Sequence, residues 1–180
     1  MAKTSKSANH HGYAIRLVRN EEVAALPAIE LKAGALFADA GLQDVADNPP
    51  ADLDFIESFR RAGAVHVAVS DRGEPVGFAL SGLLDGVGHL YELSVDPAHG
   101  RRGLGARLVG AALGSAYARG ARAMTLSTFR DLAWNGPFYT KLGFRELTPL
   151  EWTPGLHVLH AREIDIKLPV ERRCFMRREL

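Results

Sequence analysis

Residues 89–113 read HLYELSV, then DPAHGRRG, then LGARLVGAAL: an alternating run, a turn, and an apolar repeat of helical period. A strand that feeds a helix through a tight loop has to cross over before it can meet a parallel neighbour, and this constrains the fold more than composition does. Asp96-Pro97 bends the chain, because proline fixes φ and supplies no donor. Gly100, Gly103 and Gly105 then let the backbone pack tightly and turn its N–H groups toward one point at the helix start. Such a nest, added to the helix dipole, binds a phosphate or pyrophosphate, and Arg101 and Arg102 add positive charge beside it. Two known phosphate motifs do not fit. No Lys-Ser or Lys-Thr follows the glycines, as a P-loop requires, and Leu108 stands where a dinucleotide fingerprint needs its third glycine. The spacing here is G-x-x-G-x-G.

The rest of the chain places this unit in a mixed sheet. YAIRLV (13–18) alternates as a first strand, and Asn20 is the expected cap of a helix running to about Ala38 and bent near Pro27. DNPP (47–50) breaks the chain, and DLDFIESFRRA (52–62) reads as a helix stopped by Gly63. VHVAVS (65–70) and PVGFALSG (75–82) form a hairpin across DRGE, and DGVG (85–88) turns into HLYELSV (89–95). After the glycine loop, a helix carries Leu104, Leu108, Ala111, Ala112, Ser115 and Ala116 on one face and ends at Gly120. AMTLSTF (123–129) is a strand, NGPFYTKL (135–142) a short helix, GFREL (143–147) a strand, and RCFMRREL (173–180) a terminal strand. Residues 148–171 show no clear pattern. The order predicts an α/β (α+β) fold: a mixed central sheet of about six to seven strands flanked by helices, antiparallel except for one parallel step near 89–129.

The chain has 180 residues, which suits one domain, expected over 13–180 behind a disordered tail of residues 1–12. A net charge of +1 gives no global pull toward nucleic acid or an anionic membrane. The apolar runs are too short to span a bilayer, and the polar start MAKTSKSANHHG lacks the core of a secretory signal. A single cysteine, Cys174, cannot form an internal disulfide. Together these predict a cytoplasmic protein that binds neither membrane nor nucleic acid, with homodimerisation left open. No Cys/His cluster has zinc-ligand spacing, so no metal is expected.

LSVDPAHGRRGLG resembles the acyl-CoA-binding motif of the GNAT superfamily of N-acetyltransferases, roughly V-x-P-x-x-[QR]-x-x-G-x-[GA]. Val95, Pro97, Gly103 and Gly105 match, while Gly100 stands at the usual Gln/Arg position and leaves only backbone donors there. WNGPFYTKLGF (134–144) resembles the family's later motif, with Tyr139, Leu142, Gly143 and Phe144 in place. Many members carry an asparagine seven residues before the tyrosine. Here that position is Leu132, and Asn135 lies four before. The resemblance implies acetyl-CoA as co-substrate, held by Leu93, Ser94, Val95, the loop Gly100, Arg101, Arg102, Gly103, Leu104, Gly105 and Ala106, and by Asn135 and Phe138. It also implies N-acetyl transfer to a primary amine of a small molecule or peptide by direct attack.

An amine of pKa near 10.4 is neutral in only about 4 of 10,000 molecules at pH 7, which corresponds to about 4–5 kcal/mol, so a base is useful. Glu92 sits in an E-L-x-V pattern used by small-molecule acetyltransferases, and His89 falls where histone-type members carry a glutamate. Three residues apart on a regular strand, they point to opposite faces, and only a bulge brings both to one cleft. Backbone N–H groups near Leu93 to Val95 are candidate oxyanion donors if the strand splays there. Tyr139 is the candidate acid for the leaving thiolate. Cys174 reads as core packing, and Arg130, Lys141 and Arg145 as solvated charges. Glu30, Phe37, Asp39 and Asp44 are candidates for an acidic, partly aromatic mouth that admits a cationic amine. Two rival readings stand beside the enzyme: a non-catalytic acyl-CoA-binding regulatory module, and an interaction protein using HGRR with RRCFMRREL.

Overall fold

Runs of apolar and β-branched residues make the longer strands, and short glycine or proline turns set their order. The computed structural model describes residues 12–180, so all but the last residue of the expected tail lies outside the described residues. Seven strands form one sheet in the order β1-β2-β3-β4-β5-β7-β6: β1 (Tyr13–Leu17), β2 (Val65–Ser70), β3 (Pro75–Leu84), β4 (Val87–Val95), β5 (Ala123–Phe129), β6 (Arg145–Glu146) and β7 (Arg173–Glu179). Only β4 and β5 pair in parallel, and the others pair antiparallel. The helices are α1 (Leu26–Gly34), α2 (Leu36–Asp39), α3 (Gln43–Ala46), α4 (Leu53–Arg61), α5 (Leu104–Ala118), α6 (Gly136–Lys141) and α7 (Pro154–Asp165).

The sheet divides the core in two. On one face, α5 lays Leu104, Leu108, Ala112 and Ala116 against Ala79, Leu90, Met124 and Leu126. Leu108 is fully buried there, so truncating it to alanine costs about 2–5 kcal/mol. On the other face, Leu26 and Ile29 of α1 and Ile56 of α4 pack on Val65, Val67, Phe78 and Leu80. Farther along that face, Leu156 of α7 packs with Phe175 and Leu147.

Three local expectations are corrected. The first helical segment is not one bent helix: a 3-10 turn covers Asn20–Ala25, and Pro27 sits in the first turn of α1. Proline fits there because that turn has no use for its N–H. Asn20 does not cap this segment; the Glu22 carboxylate accepts the Arg19 N–H at 2.8 Å instead. Residues 148–171, without pattern in the sequence, contain α7, whose exposed Val158 and Ile164 blur its apolar stripe.

Candidate active site

The parallel ladder between β4 and β5 is short: Gly88 pairs with Met124, His89 with Thr125 and Leu90 with Leu126. Beyond Leu90 the strands part, as β4 follows β3 to Val95 while β5 follows β7 to Phe129. A bulge accompanies the split. Leu80 faces Glu92 and Ser81 faces Leu90, which leaves Tyr91 without an opposite residue. Residues after the bulge have therefore changed face relative to those before it. Leu90, Leu93 and Val95 all join the α5 core, while Tyr91 joins the opposite one. The bulge thus answers the question posed by the sequence: with Leu90 and Leu93 on one face, His89 and Glu92 share the other.

The loop after β4 is shaped by its own side chains. Asp96 accepts the Ala98 N–H at 2.9 Å and opens the 3-10 turn Pro97–His99. Arg101 has φ 58° and Gly103 has φ 74°, which bring the chain sharply into α5. The first N–H to reach back is that of Arg107, onto the Gly103 carbonyl at 3.1 Å. The N–H groups of Leu104, Gly105 and Ala106 consequently stand at the helix mouth without an intrahelical acceptor. The Leu104 side chain is in the core, so this residue offers the loop only its backbone. Arg101 and Arg102 are exposed, and the Arg102 guanidinium lies 5.8 Å from the centre of the Tyr13 ring. A Cβ on Gly105 would stand 3.4 Å from the Phe138 ring, an ordinary contact distance, so the start of α5 lies directly against α6. Three outward N–H groups, two exposed guanidinium groups and no carboxylate from Gly100 to Ala106 suit a diphosphate.

Asn135 immediately precedes α6, and its side-chain oxygen accepts from Thr128 Oγ1 at 2.7 Å, which ties the start of that helix to β5. Leu132, at the position where a second asparagine would be expected, is buried with Leu42 and Phe129. On α6, Tyr139 is 8% exposed in the α5 core. Burial pushes its phenol above the usual range, the charge of Glu92 pushes it further, and Arg173 opposes them.

His89 and Glu92 differ in setting. His89 is 2% exposed, bonds to Thr125 Oγ1 at 2.8 Å through Nδ1, and packs against the Tyr91 ring at 4.6 Å. Burial pushes its pKa down to about 4, so it is neutral at pH 7. Glu92 remains partly accessible, and its carboxylate accepts the Ser94 hydroxyl at 2.7 Å. Burial raises its pKa. Glu30 of α1 accepts the Ala51 N–H at 3.0 Å, and burial followed by the charge of Glu92 raises it to about 7.

The far wall was not legible in the sequence. Arg173 pairs with Glu163 of α7 at 2.9 Å, donates to Ser127 Oγ at 3.0 Å, and lies 4.8 Å from the Phe129 ring centre. Its Nε and the indole N–H of Trp152 are buried without partners beside a cavity of about 30 Å³, enough for a single water. Phe37 packs against Phe129 at 5.3 Å and Trp134 at 6.4 Å. Asp39 and Asp44 lie exposed on α2 and α3. Arg130 is taken up by Glu146 and two carbonyls, and Arg145 by Glu151. Burial holds the Cys174 thiol at about 11, which fits packing.

Among the described residues, no group of three or more His, Cys, Asp or Glu is arranged to hold a metal, and no helix is long and apolar enough to cross a membrane. The mixed sheet parts after a bulge in β4, the strand runs on to a helix mouth whose N–H groups are free, and α6 carries a buried phenol, an arrangement that suits an acyltransferase. Residues 35–144 match the Acetyltransferase (GNAT) family, and the chain belongs to it. The protein is therefore an acyltransferase.

Solved structures agree on the fold. An acetyltransferase of the GNAT family from Staphylococcus aureus shares 16% identity at a TM-score of 0.68, over 93% of this chain and 99% of that one. PaiA N-acetyltransferase from Thermoplasma acidophilum, in complex with coenzyme A, shares 16% identity at 0.63, over 93% and 99%. N-acetylglutamate synthase from Neisseria gonorrhoeae, complexed with coenzyme A and N-acetyl-glutamate, shares 17% identity at 0.65. There 93% of this chain covers only 35% of a longer protein.

Proposed function

We propose that the protein transfers an acetyl group from acetyl-CoA to the primary amine of a small molecule or peptide by direct attack. The observation that supports this reading is the split between β4 and β5, with the N–H groups of Leu104, Gly105 and Ala106 left free at the mouth of the helix that follows β4. Acetyl-CoA supplies the acyl thioester. The N–H groups of Leu104, Gly105 and Ala106 hold its diphosphate, with Gly100 and Gly103 shaping the loop and Arg101 and Arg102 adding charge. The β4 backbone from Leu93 to Val95, freed from β5, lines the split where negative charge develops, and Phe138 and Asn135 fix the opposite wall.

Glu92 takes the proton of the acceptor amine. A carboxylate with a raised pKa is a stronger base than an ordinary one, and a base near the working pH is the more effective catalyst. Tyr139 returns a proton on the sulfur side. His89, neutral, enclosed and bonded to Thr125, serves the packing of β4 on β5 rather than proton transfer. A thiol-release assay with acetyl-CoA against amines, peptides and aminoglycosides tests the reading. Acceptor-dependent release of coenzyme A supports it, and tight coenzyme binding with no release for any acceptor overturns it in favour of a binding module.

A further inference from the structure

On the reading above, the glycine loop is the part of the protein that holds the coenzyme diphosphate, and it is a shape that a chain does not keep by itself. Glycines lose more backbone freedom on ordering than other residues, and Arg101, at φ 58°, sits in a region that strains a side chain. From Arg101 to Ala106 no backbone N–H has a partner among the described residues. What holds the loop comes from the far end of the chain. Tyr13, the first residue of β1, bears on it before, within and after. Its hydroxyl is hydrogen-bonded to His99 Nδ1 at 2.8 Å, just before the loop, and the two rings meet edge to face at 5.7 Å. Its ring centre lies 5.8 Å from the Arg102 guanidinium, within the loop. Its carbonyl accepts from the Arg107 guanidinium at 3.0 Å, just after it. Tyr13 is itself fixed, because it pairs with Ser70 of β2 and packs on the α5 core.

A residue that grips both flanks and the middle of a loop removes conformations that the loop would otherwise sample. A ligand then no longer has to order the loop as it binds, and that saving appears as affinity. We propose that Tyr13 is a positioning residue for the coenzyme. It preorganises the glycine loop, so that the N–H groups of Leu104, Gly105 and Ala106 and the charge of Arg102 meet the diphosphate together. Tyr13 acts through His99, Arg102 and Arg107 and takes no part in the chemistry. Its loss therefore weakens coenzyme binding and leaves turnover of the bound complex alone.

The experiment measures coenzyme A affinity by calorimetry and amide hydrogen exchange across the loop, in the wild type, Tyr13→Phe, Tyr13→Leu and Ile15→Ala. Tyr13→Phe deletes the bond to His99 and keeps the ring beside Arg102, whereas Tyr13→Leu deletes both. Ile15→Ala lies in the same strand and packs on the same core, so it reports what destabilising β1 does by itself. Coenzyme A affinity should fall about 2–5-fold in Tyr13→Phe and about 5–30-fold in Tyr13→Leu. KM for acetyl-CoA should rise in step, kcat at saturation should change by less than about 2-fold, and exchange should quicken in the loop. Ile15→Ala should lower the melting temperature and spare the affinity. If Tyr13→Leu folds and keeps the wild-type affinity, or if Ile15→Ala costs as much affinity, the inference is overturned while the coenzyme reading stands. Should Tyr13→Leu fail to fold, Tyr13→Phe decides, and unchanged affinity and loop exchange in it overturn the inference. If the wild type does not bind coenzyme A, the acyl-transfer reading falls and this inference with it.

Discussion

The coenzyme side and the acceptor side of the cleft are built by different means. On the side proposed for the coenzyme, one uninterrupted stretch from Leu93 to Ala106 supplies most of the groups, and its donors are backbone N–H groups at a helix mouth. On the side proposed for the acceptor the groups are side chains: Glu30 from α1, Phe37 from α2, Glu92 from β4, Glu163 from α7 and Arg173 from β7. A backbone nest recognises a diphosphate through conformation, which a short motif can encode. A set of scattered side chains recognises an acceptor through its charges, and those can change one position at a time. The first device is suited to a constant co-substrate, the second to a variable one.

The sharpest test of this division removes the acid proposed for the leaving thiolate. Tyr139→Phe keeps the ring in its buried place while deleting the proton, so kcat should fall by about 10²–10⁴-fold with coenzyme A affinity almost unchanged. Equal loss of rate and affinity, measured by single-turnover kinetics and calorimetry, would make the hydroxyl structural and would blur the comparison.

Next in size is the base. Glu92→Gln should lower kcat by about 10²–10³-fold and spare acetyl-CoA affinity. His89→Gln should leave kcat within a few-fold and show instead in the melting temperature, since it disturbs the bond to Thr125. The acidic limb of kcat/KM in the wild type should lie above the ordinary carboxylate range, because burial raises Glu92 and Glu30 titrates near 7. If His89→Gln abolishes activity and Glu92→Gln does not, the base has been assigned to the wrong residue.

Gly103→Asp breaks the coenzyme side alone. It forces a side chain into φ 74° and sets a carboxylate at the helix mouth, so coenzyme A affinity should fall about 10–100-fold. The Cβ itself meets no atom within 4 Å, so backbone strain and charge carry the effect, not collision. Gly103→Ala should then lose much less affinity, and a loss as large as that of Asp would refute the electrostatic part.

The smallest expected effect concerns stability and belongs to the acceptor side alone. Glu30 holds its proton more tightly folded than unfolded, since its pKa rises from 4.5 to about 7. Its contribution is complete below about pH 4.5 and is lost as pH rises through about 7. Melting of the ligand-free protein should therefore show a stability decrease between pH 5 and 8 that Glu30→Gln flattens. An unchanged profile in Glu30→Gln would mean that burial does not raise Glu30 in the folded protein.

By itself the sequence determined the strands and the crossover helix with the glycine loop that opens it, because each depends on neighbours within a few residues: alternation for β2, β5 and β7, a fixed spacing of glycines for the loop. Even α5 followed from its own periodicity, with Leu104, Leu108, Ala112 and Ala116 buried as their spacing predicts. What only the tertiary structure decided is where residues far apart in the chain meet. Tyr91 becomes a bulge because β3 offers it no opposite residue, and that single mismatch puts His89 and Glu92 on one face. Glu92 is raised and exposed to the cleft while His89 is sealed against Thr125, although both stand on the same strand. Glu30 is raised first by its burial and then by the charge of Glu92, and Arg173 acquires Glu163 through a helix whose apolar stripe is too weak to read. Local conformation is written in local sequence, whereas the charge and solvation of a buried side chain are set by groups that folding brings to it.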